Sequence, residues 1–272
     1  MSLDRLPPLR ESLAEHGLLA KKSFGQHFLL DLNVTRKIAR LAGPFDGDAV
    51  IEVGPGPGGL TRALLETDAA RVIVVEKDAR FLPLLEELGA ASGGRLAIVE
   101  GDALEVDEAG LLAGAAGHLV SNLPYNVGTP LLIKWLTGPW TPRSLTLMFQ
   151  KEVADRIAAR PGQSAYGRLA VIAQAVADAR VVMDLPARAF TPPPKVASAV
   201  VRLDPRPDRP PAALLAKLEK VTAAAFGQRR KMLRSSLRTL GGDALCERAG
   251  VDANARAETI DVSGFLRLAA AT

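Results

Sequence analysis

Cysteine is almost absent: the 272-residue chain holds one, Cys246. A single thiol excludes an intramolecular disulfide and a zinc site built on cysteines, and it points to a reducing compartment. Histidine is scarce as well, and His16, His27 and His118 are too scattered to suggest a metal cluster. No apolar run is fit to cross a membrane. The longest uncharged stretch, Ala109–Ile133, contains four glycines, two prolines and two asparagines, the wrong chemistry for hydrocarbon. It reads as a turn, a buried strand and a loop. The first ten residues carry Asp4, Arg5 and Arg10 without an apolar core, so no secretory leader is expected. What remains, 48% apolar and 24% charged residues, is the composition of a soluble globular protein, here expected to be cytoplasmic and monomeric. The chain is long enough to bury a core without metal or disulfide staples.

The net charge of +4 is unevenly spread. From Pro205 to Thr272 there are twelve Lys/Arg and seven Asp/Glu, so the preceding residues are close to neutral. An excess confined to one end suggests an anionic partner for that end.

Short β-branched runs alternate with helical patterns. Ala49–Val53, Arg71–Val75, Arg95–Val99, His118–Ser121 and Leu145–Phe149 read as strands, with helices after the first two and over 151–160. That alternation predicts a Rossmann-like α/β fold, a parallel sheet with helices on both faces. Arg180–Met183 and Ser198–Leu203 read as a closing antiparallel pair. Asp204–Pro211 then holds four prolines in eight residues, a stiff extended linker. Beyond it the pattern is helical over Leu214–Phe226, Gln228–Leu240 and Val262–Ala270. The expected division is a domain over 1–204, a linker over 205–211 and a small helical domain over 212–272.

Four constellations carry chemistry. The first is Glu52-Val-Gly-Pro-Gly-Pro-Gly-Gly59, directly after the first strand. Gly54, Gly56 and Gly59 fit G-x-G-x-x-G, which lets a ligand approach the backbone. A dinucleotide would set its pyrophosphate there, and the Glu52 carboxylate would repel it. A cationic ligand without phosphates, such as S-adenosylmethionine, tolerates that acid. The second is Glu76, at the end of the next strand, placed to accept both ribose hydroxyls. The third is Asp102, after the third strand, placed to accept from an adenine amino group; the same residue could instead cap the following turn.

The fourth is Asn122-Leu-Pro-Tyr125. Pro124 stiffens the loop, Asn122 and neighbouring carbonyls offer acceptors, and Tyr125, one of two tyrosines, offers a flat face. An adenine amino group is a poor nucleophile because its lone pair is delocalised into the ring. Acceptors on its N–H groups draw the nitrogen toward tetrahedral geometry while an aromatic face holds the extruded base.

With these motifs the chain resembles the ribosomal RNA adenine N6,N6-dimethyltransferase family, in its bacterial small-subunit branch. Lys22-Ser-Phe-Gly-Gln-His-Phe-Leu29 is similar to the family's segment covering the cofactor, within a cover expected over 1–30. Phe190-Thr-Pro-Pro-Pro-Lys-Val196 with Ser198-Ala-Val-Val201 is similar to its late target-base motif, and Phe226-Gly-Gln-Arg-Arg-Lys231 to its basic segment. The resemblance implies S-adenosylmethionine held by His27, Leu29, Gly54, Gly56, Glu76, Asp102 and Asn122. His27 stands where the family usually has Asn, so its backbone is the expected contact. Asn122, Leu123, Tyr125 and Phe190 are the implied catalytic residues, with Tyr125 and Phe190 flanking the target adenine, and no metal is implied. Arg229, Arg230, Lys231, Arg234 and Arg238 form an acid-free run for RNA phosphates, with 230, 234 and 238 on one helical face. The implied substrate is a pair of adjacent adenosines in the 3′-terminal hairpin of small-subunit (16S) rRNA, in the assembling subunit. A large-subunit rRNA or DNA adenine methyltransferase, and an assembly checkpoint that only binds, remain as alternatives. An NAD oxidoreductase is disfavoured by Glu52 and by the lack of a hydride-transfer acid or base.

Overall fold

The computed structural model describes residue 3, residues 6–18 and residues 27–272. Residues 1, 2, 4, 5 and 19–26 of the expected cofactor cover therefore lie outside the described residues.

Seven strands form one sheet: β1 (Ala49–Val53), β2 (Arg71–Glu76), β3 (Leu96–Glu100), β4 (Gly117–Asn122), β5 (Leu145–Gln150), β6 (Ala177–Leu185) and β7 (Ser198–Pro205), in the order β3-β2-β1-β4-β5-β7-β6. The first five pair in parallel, with Val53 opposite Val75, Ala49 opposite Gly117 and Asn122 opposite Met148. β1 is buried along its whole length, which is why it reads as a near-continuous apolar run rather than an alternating one. The chain moves outward from β1 to β3 and then returns to lay β4 on the other side of β1. That reversal opens a crevice at the strands' carboxyl ends.

The uncharged run 109–133 holds more helix than the sequence suggests. Helices Glu108–Leu112 and Gly128–Thr137 flank β4. Pro130 falls in the first turn of the second helix, where a missing N–H costs little. Leu131, Leu132, Trp135 and Leu136 bury one of its faces.

The chain divides into two compact units. One contains residues up to 132 together with 142–151 and 181–202. Its core joins Ile38, Phe45, Leu60, Leu64, Val72, Leu85, Val120 and Val200. The other contains 203–272 together with Ile133–Thr141 and Glu152–Arg180, segments that precede the proline-rich stretch in the sequence. Its centre is aromatic: Phe226 stacks on Phe265 at 5.4 Å and meets the edge of Tyr166 at 6.1 Å. The Tyr166 hydroxyl donates to the Ile260 carbonyl at 2.9 Å. In the proline-rich stretch, the Arg209 guanidinium donates to the carbonyls of Leu136 and Gly138 at 2.9 and 2.8 Å.

The expected helix over Gln228–Leu240 is not one helix. The preceding helix, Ala212–Gly227, stops at Gly227, and only Leu233–Ser236 and a 3₁₀ turn over Arg238–Leu240 follow. The backbone donors of Leu233 and Arg234 go to the carbonyls of Ala255 and Ala253, at 2.8 and 3.0 Å, instead of to the preceding turn. Residues 230, 234 and 238 therefore do not share a helical face.

Candidate active site

The reversal of strand order brings the ends of β1, β2 and β4 to one edge. There Gly54 N–H donates to the Val75 carbonyl at 2.9 Å, and the Ser121 hydroxyl donates to the Val53 carbonyl at 2.5 Å. These cross-strand bonds fix where each strand hands over to its loop. The result is a cleft of about 580 Å³ bounded by the glycine loop, Glu52, Glu76, Phe81, His27–Leu29 and Asn122–Asn126.

The glycine loop is shaped by left-handed backbone. Gly56 has φ of +52°, and a Cβ there would meet the Phe28 ring at 3.4 Å. Its N–H donates to Glu76 Oε2 at 3.0 Å, while Asp78 N–H donates to Oε1 at 2.8 Å. Both Glu76 oxygens are thus oriented by backbone, and each keeps a second lone pair. Burial pushes this carboxyl above its ordinary range, against the pull of those two donors.

Glu52 is more deeply placed, 1% exposed at the base of the cleft. Thr61 Oγ1 donates to Oε2 at 2.7 Å. Burial, with the nearby Glu76 charge adding to it, pushes the Glu52 carboxyl up to about 8. It is therefore largely protonated at neutral pH, and repels a phosphate less than the sequence alone implies. The stronger objection to a pyrophosphate is the lining itself, which has no Lys or Arg among its described residues.

This burial carries a stability consequence. Between the ordinary value of 4.5 and about 8 the folded protein holds a proton that the unfolded chain has lost. The Glu52 contribution to stability therefore declines as pH rises through that window, and levels off above it. Glu52→Gln should remove the decline and leave the protein more stable by on the order of 4 kcal/mol at about pH 8. Urea unfolding at several pH values checks this; identical pH profiles for variant and wild type would contradict it.

Asn122 ends β4 half-buried, and Leu123 is 2% exposed with its side chain in the cleft wall. The Tyr125 hydroxyl and Ser198 Oγ are 2.9 Å apart, and the His27 ring lies 5.9 Å from the Tyr125 ring, tilted by 32°. His27 Nδ1 sits 2.7 Å from the Pro192 carbonyl oxygen. Phe28 and Thr191 exchange backbone hydrogen bonds of 3.0 and 2.9 Å.

Eight of the candidate side chains and loop residues thus meet in one place: His27, Leu29, Gly54, Gly56, Glu76, Asn122, Leu123 and Tyr125. Two others do not line the cleft. Asp102 is held by Lys77 Nζ at 2.7 Å and caps its turn through Leu104 N–H at 3.0 Å. Phe190 is 3% exposed and belongs to the core cluster. Phe81 lines the cleft and meets the Phe28 ring edge-on at 5.6 Å; its apolar spacing reads only as helix core. Thr61 carries no sequence signal beyond its proximity to the glycine motif, and Ser198, which opens the second part of the late motif, is given no role by the sequence.

The basic run lies in the other unit, and its five cationic residues are all exposed. Within it, Arg229 is engaged by Glu258 at 2.8 Å and by the Ser164 carbonyl at 2.7 Å. A phosphate at Arg229 has to compete with that carboxylate.

Comparison with known proteins agrees with this geometry. A protein from Phenylobacterium zucineum called ribosomal RNA small subunit methyltransferase A is 74% identical over 269 residues, covering 99% of this chain and 94% of that one. Among solved structures, a dimethyladenosine transferase from Plasmodium falciparum superposes with a TM-score of 0.75 at 25% identity, covering 89% of this chain and 96% of that one. The 23S rRNA methyltransferase ErmE gives 0.69 at 26% identity, covering 90% and 98%. Residues 17–272 match the family described as ribosomal RNA adenine dimethylase. A match of that extent takes in both units and every residue of the cleft, and the chain belongs to the ribosomal RNA adenine dimethylase family.

Proposed function

We propose that this protein transfers methyl groups from S-adenosylmethionine to N6 of two adjacent adenosines in the 3′-terminal hairpin of small-subunit rRNA, giving N6,N6-dimethyladenosine during subunit assembly. The observation that carries this reading is the meeting of Asn122 and Tyr125 with the glycine loop and Glu76 in one cleft. The cleft also fits the cofactor. It offers paired acceptors on Glu76, an apolar wall from Leu60, Phe81 and Leu123, and close backbone approach at Gly54 and Gly56.

S-adenosylmethionine, when bound, supplies an electrophilic methyl group on a sulfonium. Glu76 accepts from ribose hydroxyls, and His27 and Leu29 cover the site from the N-terminal side. Asp102, outside the cleft lining and shared with Lys77 and the Leu104 N–H, would accept from the adenine amino group where the cofactor's adenine reaches beyond that lining. The Asn122 side-chain oxygen and the adjoining carbonyl of Leu123 accept from the target amine. They draw its nitrogen out of conjugation, and Tyr125 presents the face on which the extruded base rests. No strong general base is needed, because the methylated amine is cationic and acidic. Phe190 supports this wall from within the core rather than through contact with the base. Arg230, Lys231, Arg234 and Arg238, with Arg229 after release of Glu258, neutralise RNA phosphates at about 0.9 of a logarithmic salt slope per contact on a duplex.

The test supplies labelled methyl donor with unmethylated small subunits, large subunits and DNA in parallel, and analyses digested nucleosides by mass. Label is expected as dimethyladenosine from small-subunit rRNA. Label confined to large subunits or DNA would overturn the substrate assignment, and no label anywhere would favour a binding role.

A further inference from the structure

A loop tyrosine serves as a platform only if its ring is held. Tyr125 follows β4 in a loop, where rotation about its side-chain bonds is not limited by a packed strand or helix. Its hydroxyl is nevertheless fixed at 2.9 Å from the hydroxyl of Ser198, the first residue of β7, which is 0% exposed. The His27 ring lies 5.9 Å from the Tyr125 ring, and His27 is itself tied to the Pro192 carbonyl. The stretch from Thr191 to Ser198 thus reaches the Tyr125 ring directly and through His27. The same stretch holds Phe28 by the paired backbone bonds at Thr191.

We propose that Ser198 is a positioning residue for methyl transfer: its buried hydroxyl holds the Tyr125 ring in the orientation that receives the target adenine. This rests on the reading of Tyr125 as the base platform. Ser198 touches neither base nor cofactor in this scheme. Its effect passes through one hydrogen bond, in which one hydroxyl donates and the other accepts. Solvent competes little for that bond, because Ser198 is fully enclosed and Tyr125 half-buried.

The bond can be removed from either end, by Ser198→Ala or by Tyr125→Phe. Each should lower the single-turnover methylation rate by about tenfold, the effect of losing one buried neutral hydrogen bond. The double variant should also lose about tenfold, not about a hundredfold, because the same bond is removed once. Cofactor affinity, measured by calorimetry, should stay at the wild-type value in all three. RNA carrying 2-aminopurine at the target position should show weaker quenching in the variants, since a loose ring stacks less well. Should Ser198→Ala fail to fold, Tyr125→Phe reports on the same bond. A wild-type rate for Tyr125→Phe, or a multiplicative loss in the double variant, would overturn the proposal. A wild-type rate and subunit affinity for Tyr125→Ala would remove the platform reading itself.

Discussion

Replacing Asn122 with alanine should lower the methylation rate by about 10²–10³-fold, the scale for one preorganised polar group at a site of developing charge. The structure supplies the preorganisation. Asn122 ends a strand paired with β1 and β5 and lies opposite Met148, and the preceding Ser121 is bonded to the Val53 carbonyl. Its amide is therefore carried on fixed backbone even though it opens into a loop. The hydrogen bond it offers gains strength as the target nitrogen becomes positive, so it acts mainly in the transition state. Subunit affinity should fall far less, because the phosphate contacts are proposed for Arg230, Lys231, Arg234 and Arg238 and not for Asn122. Single-turnover methylation and filter binding on the same subunits separate the two quantities. A wild-type rate would contradict the mechanism.

The second large effect is expected at Gly59, where the first helix after β1 begins. A Cβ there would lie 2.6 Å from the Leu29 carbonyl oxygen and 3.2 Å from Leu9 Cδ1. The oxygen belongs to backbone, and its neighbour Phe28 is held by two bonds to Thr191, so it has little freedom to retreat. Gly59→Ala should cost about 2–3 kcal/mol through overpacking. It should also push Leu29 away from the cleft and weaken cofactor binding. Denaturant unfolding gives the first effect and calorimetry the second. A wild-type midpoint with wild-type affinity would mean that the segment over the glycine loop is not fixed.

Much of this was legible because buried parallel strands leave an unambiguous trace. Ala49–Val53 matches β1 end to end, and Leu145–Phe149 falls one residue short of β5. The motifs Gly54–Gly59, Glu76 and Asn122–Tyr125 stand at or just after the ends of such strands, and a parallel sheet alone brings those ends to one edge. Three features were hidden for physical reasons. The residues 228–240 have helical composition, but the backbone donors of Leu233 and Arg234 are drawn off by Ala255 and Ala253, about twenty residues away, a pairing that local periodicity cannot reveal. The helix over Gly128–Thr137 was masked by its glycine and Pro130, both compatible with a first turn. The charge state of Glu52 depends on burial by surrounding elements, and its own neighbours in sequence say nothing about that.

The position of β1 also bears on how the protein is made. Its two partners are β2, close behind it in the chain, and β4, whose Gly117 lies roughly seventy positions after Ala49. At about 5–20 residues per second of synthesis, β1 waits several seconds with one row of amides and carbonyls unpaired. An apolar strand with an open edge is a template for pairing with other chains. Truncation just before Gly117 should therefore yield aggregates, whereas extension past Asn122 closes that edge.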